Sequence, residues 1–151
     1  MKIFIWDDDF KTNFHDVDEQ HEYLVELINK LGAFIYCGYR PIKDLNILLH
    51  ELSLYASYHF KCEEEYMVRK GIDSRHFNYH VTSHVTFLER VTNVVSDIRP
   101  HDTSSITELH LFLISWLNDH ILGVDQNMAR QLRSIENGLT SQQAYDKEEI
   151  K

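Results

Sequence analysis

His59-Phe60-Lys61-Cys62-Glu63 and, further on, His80-Val81-Thr82-Ser83-His84 are the two stretches whose reading decides the fold. Each places two potential metal ligands four residues apart, which puts both on one face of an α-helix. Between them stands Gly71-Ile72-Asp73-Ser74, with a glycine to end one helix and Asp73 or Ser74 to cap the next. Helices joined by so short a turn pack antiparallel, and residues equidistant from the turn then lie at one height. His59 with His84, and Glu63 with His80, both have their midpoint between Gly71 and Ile72. The four side chains are therefore expected to stand level.

The same test extends outward in both directions. His21 and His59 centre on Arg40, inside the turn signal Gly38-Tyr39-Arg40-Pro41. His84 and His120 centre on Asp102, and His80 with Asp125 just past it, at the turn signal Arg99-Pro100-His101-Asp102. Seven candidate ligands, His21, His59, Glu63, His80, His84, His120 and Asp125, thus fall in one slab. The last two are five residues apart, which an ideal α-helix would separate by about 140°. A local distortion near Gly123, of the π-bulge kind that favours functional sites, is the expected remedy.

The apolar pattern agrees with this frame. Leu24, Ile28, Leu31 and Ile35 form a stripe on a first helix from about 18 to 37. Leu45, Leu48, Leu49, Leu52 and Ala56 precede His59 on a second, with Pro41 suited to its opening. Phe87, Leu88, Val91 and Val95 follow His84 on a third, and Ile106, Leu109, Leu113 and Leu117 lead to His120 on a fourth that can run on to Gly138. Two prolines and five glycines interrupt the chain, and strand-like alternation is absent from the long segments. The expected fold is all-α, an up-down-up-down four-helix bundle in a single domain of 151 residues. Residues 1–17 read as an extended arm anchored by Trp6, Phe10 and Phe14, the bundle covers about 18–138, and a polar tail, about 139–151, is expected to fray.

Composition narrows the function. A net charge of −9 argues against nucleic acid or an anionic membrane as partner. No stretch approaches the roughly 20 apolar residues that span a bilayer, the run Ile3–Trp6 is too short for a signal-peptide core, and Cys37 and Cys62 are too few for a disulfide scaffold. A cytoplasmic protein is the expectation.

Five imidazoles and two carboxylates in a dry core would each need a hydrogen-bond partner or stand as a cost, and metal resolves that cost. Zinc is content with four ligands, so seven point to two ions of higher coordination, and imidazole with carboxylate suits iron.

These residues resemble the ligand pattern of the hemerythrin family: Asp18-Glu19-Gln20-His21, then His59-Phe60-x-x-Glu63-Glu64, His80-x-x-x-His84-x-x-Phe87, and Trp116-Leu117-x-x-His120-Ile121-x-x-x-Asp125. Trp6 sits where bacterial members tend to carry an N-terminal tryptophan. The resemblance implies two non-haem iron ions with a bridging oxo or hydroxo group. His80, His84 and His120 would bind one ion, His21 and His59 the other, and Glu63 and Asp125 both. That leaves one position open on the two-histidine iron for dioxygen, with Leu117, Ile121 and Trp6 lining the pocket. The implied function is reversible dioxygen binding, as carrier, store or sensor, and not an enzyme. The alternatives are a di-iron oxidase, peroxidase or nitric oxide scavenger, and an iron-handling protein.

Two departures from the family pattern stand out. Met128 occupies a position that is often aromatic, and His76 makes a rival four-residue pair with His80, against which His80 with His84 is preferred because it keeps the Phe87 match. His15, His50, His101 and His110 read as surface residues and His76 as dispensable. Cys62 reads as a buried or partly buried thiol, and Glu64 and Glu65 as a solvated face.

Overall fold

A computed structural model describes residues 2–38, 42–97 and 103–149. Among the described residues six α-helices follow one another: α1 (His15–Tyr36), α2 (Ile42–Lys70), α3 (Ser74–Asp97), α4 (Thr103–Asp119), α5 (Gln126–Glu136) and α6 (Ser141–Glu149). A short 3₁₀ turn, Asp8–Phe10, precedes them, and a π-helical segment, His120–Asp125, joins α4 to α5 without a break. No strand occurs among the described residues. Of the expected turns, residues 39–41 of the first, Gly38–Pro41, and all of the third, Arg99–Asp102, lie outside the described residues.

α1 to α4 form the up-down-up-down bundle. Contacts between successive helices pair residues mirrored about the intervening turn: Tyr23 with Tyr55, Phe60 with Phe87, and Phe87 with Trp116. Leu24, Leu27, Ile28, Leu31, Leu49, Leu52, Phe87, Leu109, Leu113 and Leu117 are almost wholly buried between the four helices. At roughly 1.5–3 kcal/mol per buried side chain, this stripe-to-stripe burial is the main force holding the bundle.

The α2–α3 turn falls where the glycine and the cap require. Gly71 adopts φ +78°, and Ile72 N–H bonds back to Met67 O at 3.0 Å, satisfying a carbonyl at the end of α2. Asp73 then accepts from Arg75 N–H at 2.8 Å and caps α3.

The arm is pinned by specific bonds as well as by its aromatics. Asn29 pairs with the backbone of Phe4 in both directions, at 2.8 and 2.9 Å, and Phe4 and Phe10 are buried. Phe4 is an anchor that the sequence does not advertise. Asp18 accepts from Thr12 N–H and Oγ1–H, each at 2.8 Å, and Arg133 donates to Thr12 O at 2.7 Å. α1 accordingly begins at His15, ahead of the expected residue 18.

The chain end departs from expectation. Residues 141–149 form α6, which packs along α5 with Ala144 fully buried. Arg130 meets Glu148 at 2.5 Å, and Arg75 lies over the Tyr145 ring at 4.1 Å. A helix this short is marginal alone. These tertiary contacts supply what its polar composition conceals.

Candidate metal centre

Every one of the seven predicted side chains reaches the same buried region. Their exposures run from 0% for His21, His80 and Asp125 to 4% for His120. The side chains divide into two sets of mutually close donor atoms: Glu63, His80, His84, His120 and Asp125 in one, and His21, His59 and Glu63 in the other. His76 belongs to neither, so the geometry favours the His80/His84 register.

The carboxylates are split between the two sides. Glu63 turns Oε1 toward His80 Nε2 (2.7 Å) and His84 Nε2 (3.2 Å), and Oε2 toward His59 Nε2 (3.2 Å). Asp125 turns Oδ1 toward His80 Nε2 (2.9 Å) and His120 Nε2 (3.0 Å), and Oδ2 toward His21 Nε2 (3.1 Å). The π segment makes this possible. The extra residue it accommodates brings His120 and Asp125 back to one face, as their spacing required.

All five histidines present Nε2 to the centre, and four have Nδ1 held from outside. Gln20 Oε1 lies 2.6 Å from His59 Nδ1, and Glu64 Oε2 lies 2.7 Å from His84 Nδ1. Ser83 Oγ is 2.9 Å from His120 Nδ1, and His76 Nε2 is 3.0 Å from His80 Nδ1. Such outer partners fix ring orientation and tautomer in metal sites. Two rings are also clamped by stacking, His84 on Phe60 (3.9 Å, 9°) and His120 on Trp116 (4.3 Å, 12°).

In the metal-free chain the buried carboxylates and imidazoles hold one another in their charged forms. Burial disfavours a charged His21 and a charged His80. Contacts to Asp125 and Glu63 outweigh it, pushing the two imidazoles up to about 9 and about 10. Burial alone would raise both carboxyls, yet the surrounding imidazoles hold Glu63 and Asp125 well below the usual range. His59 and His120 are lowered, by burial first. His84 is raised as well, its contacts to Glu63 and Glu64 outweighing burial, so the two carboxylates face three imidazoles favoured in the charged form. The inward nitrogens of His21, His80, His84 and His120, and all four carboxylate oxygens, have no hydrogen-bond partner outside the cluster among the described residues. Many soft imidazole donors and two splayed carboxylates turned on one dry centre suit a metal centre.

Three readings from the sequence need correction. His76 is 5% exposed and holds His80, while its own Nδ1 lies 3.1 Å from Gln131 Nε2, so it is an outer partner of the cluster. Burial and the neighbouring His80 drop its imidazole to about 4. Glu64 is bonded to His84 and is not simply solvated. His110 is buried at 5% because Gly32 of α1 lacks the Cβ that would stand 2.6 Å from its Nε2. His15 and His50 are exposed as expected, Cys62 is half-buried, and His101 lies outside the described residues. Leu117, Ile121 and Met128 are buried, and the half-buried Trp6 ring lies 6.4 Å from that of His21. The positions of Gln20, Glu64, Ser83 and His76 beside ligand-bearing turns were the one signal that could have flagged the outer partners.

Because His76 keeps His80 in place, His76→Ala is expected to weaken metal retention by about 10–100-fold, while His76→Gln retains most of it. Competition of each metal-loaded variant against a chelator measures this. Retention equal to that of the parent would show that His76 merely fills space.

A four-helix bundle whose core carries this paired histidine–carboxylate cluster defines a class of helical metal-centre proteins. Residues 12–132 match the family model described as the hemerythrin HHE cation binding domain, and the chain belongs to that family. It is 28% identical over 130 residues to the bacteriohemerythrin of Clostridium acetobutylicum, covering 82% of this chain and 97% of that protein. It is also 28% identical to the bacteriohemerythrins of Stenotrophomonas maltophilia, over 89% of this chain and 84% of the relative, and of Methylococcus capsulatus, over 83% and 94%. α6 lies beyond the matched span.

Proposed function

We propose that this protein holds two non-haem iron ions with a bridging oxygen and binds dioxygen reversibly, acting as a carrier, store or sensor and not as an enzyme. The observation that carries the reading is the split of Glu63 and Asp125, each offering one oxygen to the three-histidine side and the other to the two-histidine side. His80, His84 and His120 would hold one ion and His21 with His59 the other, with both carboxylates shared. The two-histidine side then has one protein donor fewer, which favours an external ligand there. A ferrous pair, when bound, supplies the electrons on which reversible dioxygen binding depends.

The chain's own residues would do the rest. Gln20, His76, Glu64 and Ser83 hold four imidazoles with Nε2 inward. Leu117, one turn before His120, and Ile121 are buried in the main apolar core and would keep water and protons from the open side. Trp6 would close that side from the arm. Proton supply is what an oxidase or peroxidase needs, and among the described residues the further ionisable groups bonded to the cluster, His76 and Glu64, are engaged with Nδ1 of His80 and His84 on the three-histidine side, away from the open one.

We further infer one domain and a cytoplasmic setting, supported by two free cysteines and by the lack, among the described residues, of a helix long and apolar enough to cross a membrane. The net charge of −9 supports the reading that nucleic acid is not a partner.

The test is to load the protein anaerobically with ferrous ion, count the iron, and cycle it between air and argon under an absorption spectrometer. About two irons and about one dioxygen per chain, released and rebound over several cycles, are expected. One zinc per chain would end the two-ion reading. Irreversible oxidation in one cycle, or fast consumption of peroxide or nitric oxide, would favour the enzyme.

A further inference from the structure

Between the first turns of α1 and the second half of α2 lies a cavity of about 580 Å³. Its outer wall is built by His15, Asp16, Glu19 and Glu65, all exposed. His15 and Glu19 approach to 3.2 Å, and with Asp16 they form a set of donor atoms close enough to share one cation. Gln20 and Cys62 line it deeper, and Glu63, 1% exposed, belongs to its wall. Glu63 turns both oxygens away from the cavity to the histidine cluster, and Gln20 holds His59 at 2.6 Å, so the cavity stops at a sealed layer one side chain from the donor atoms.

We infer that this cavity is the port through which divalent cations reach the buried cluster, with the His15/Asp16/Glu19 set as the first, weak stop and Glu63 as the destination. The inference rests on the two-ion reading above. Four carboxylates line the wall against a single guanidinium, Arg69, which lies over the Tyr66 ring at 5.3 Å. A cleft of one sign focuses counter-ions and raises their rate of entry by about 10–1,000-fold. The carboxylates do nothing to draw in dioxygen, which is uncharged, although Phe14, Val17 and Tyr55 on the same wall would not hinder it. Oxygen and imidazole at the mouth suit a hydrated divalent ion that must be passed on, since exposed donors hold it loosely. A weakly held ion next to a buried carboxylate can shed water stepwise as it moves inward.

Cys62 provides a direct test, because Cys37 is the only other thiol and is exposed. In a Cys37→Ser background, the metal-free chain would be alkylated at Cys62 with a bulky maleimide. Cobalt(II) uptake would then be followed by stopped-flow absorption. Uptake is expected to slow at least tenfold, with a plateau still near two ions per chain. A Glu19→Gln/Glu65→Gln variant, altered only at exposed positions, should slow uptake about three- to tenfold at low salt and lose most of its salt dependence. That second arm stands even if the alkylated chain proves misfolded by circular dichroism. Unchanged uptake in the Glu19/Glu65 variant, or slowed dioxygen entry with unchanged cobalt entry in the alkylated protein, would overturn the port. An unmodified chain that takes up no cobalt at all would instead sink the two-ion reading, and the port with it.

Discussion

Glu63→Ala is expected to leave the protein unable to hold either metal ion and to destabilise the metal-free fold by about 3–5 kcal/mol, the usual cost of removing one partner from a buried ion pair. Glu63 is contacted by His21, His59, His80 and His84, more of the cluster than Asp125 contacts, and its loss strands the protonated His21 and His80 with half their counter-charge. The pH profile of the metal-free parent gives the sign. His21 and His80 are raised, so their contribution is fully present below about 6.5 and is lost as pH climbs through about 9 and 10. Glu63 and Asp125 are depressed, so theirs is present above their ordinary values of 4.5 and 3.8 and is lost as pH falls below them. His59, His76 and His120 are lowered by burial, so theirs is present above about 6.5 and is lost as pH falls below it, and metal-free stability should therefore peak at about pH 6.5. Urea midpoints across pH, with metal counted by emission spectroscopy, check both parts. A Glu63→Ala chain that retained two ions, or a parent whose stability kept rising from pH 6 to 10, would contradict the arrangement.

The second large effect belongs to Leu117→Ala. Leu117 is 1% exposed within the main core, so truncation should cost about 2–5 kcal/mol and leave a cavity one turn from His120. None of the seven donor side chains changes, so the iron count should stay at two. If Leu117 helps to exclude water from the open side, the oxygenated protein should then decay to the ferric form several-fold faster. Decay in air, timed by absorption, reads this directly. A parent-like rate with full metal would reduce Leu117 to ordinary core.

Both effects depend on residues whose placement is legible before any coordinates. The heights of His21, His59, Glu63, His80, His84, His120 and Asp125 follow from turn positions, and turns are marked locally by Gly38, Pro41, Gly71 and Pro100. Even the helix distortion is readable, because a five-residue spacing between two inward groups leaves a regular α-helix no solution. Glu64 is not legible because its partner, His84, stands 20 residues on and on another helix, whereas His76 meets His80 one turn along its own helix and its role shows only once both rings are seen to be buried.

The all-helical bundle and the convergence of seven side chains are readable from local pattern, because helix period, caps and apolar stripes are properties of neighbouring residues. What surrounds those side chains is set by packing between distant segments. His110 is inside because Gly32, 78 residues away on another helix, leaves room for its ring, and α6 is ordered because Arg75 and Arg130 wait for it on α3 and α5. The arm's buried Phe4 depends likewise on Asn29. In each case the stabilising partner is distant in sequence, so no local pattern carries it. The interaction exists only once the helices have fixed their rotation and spacing.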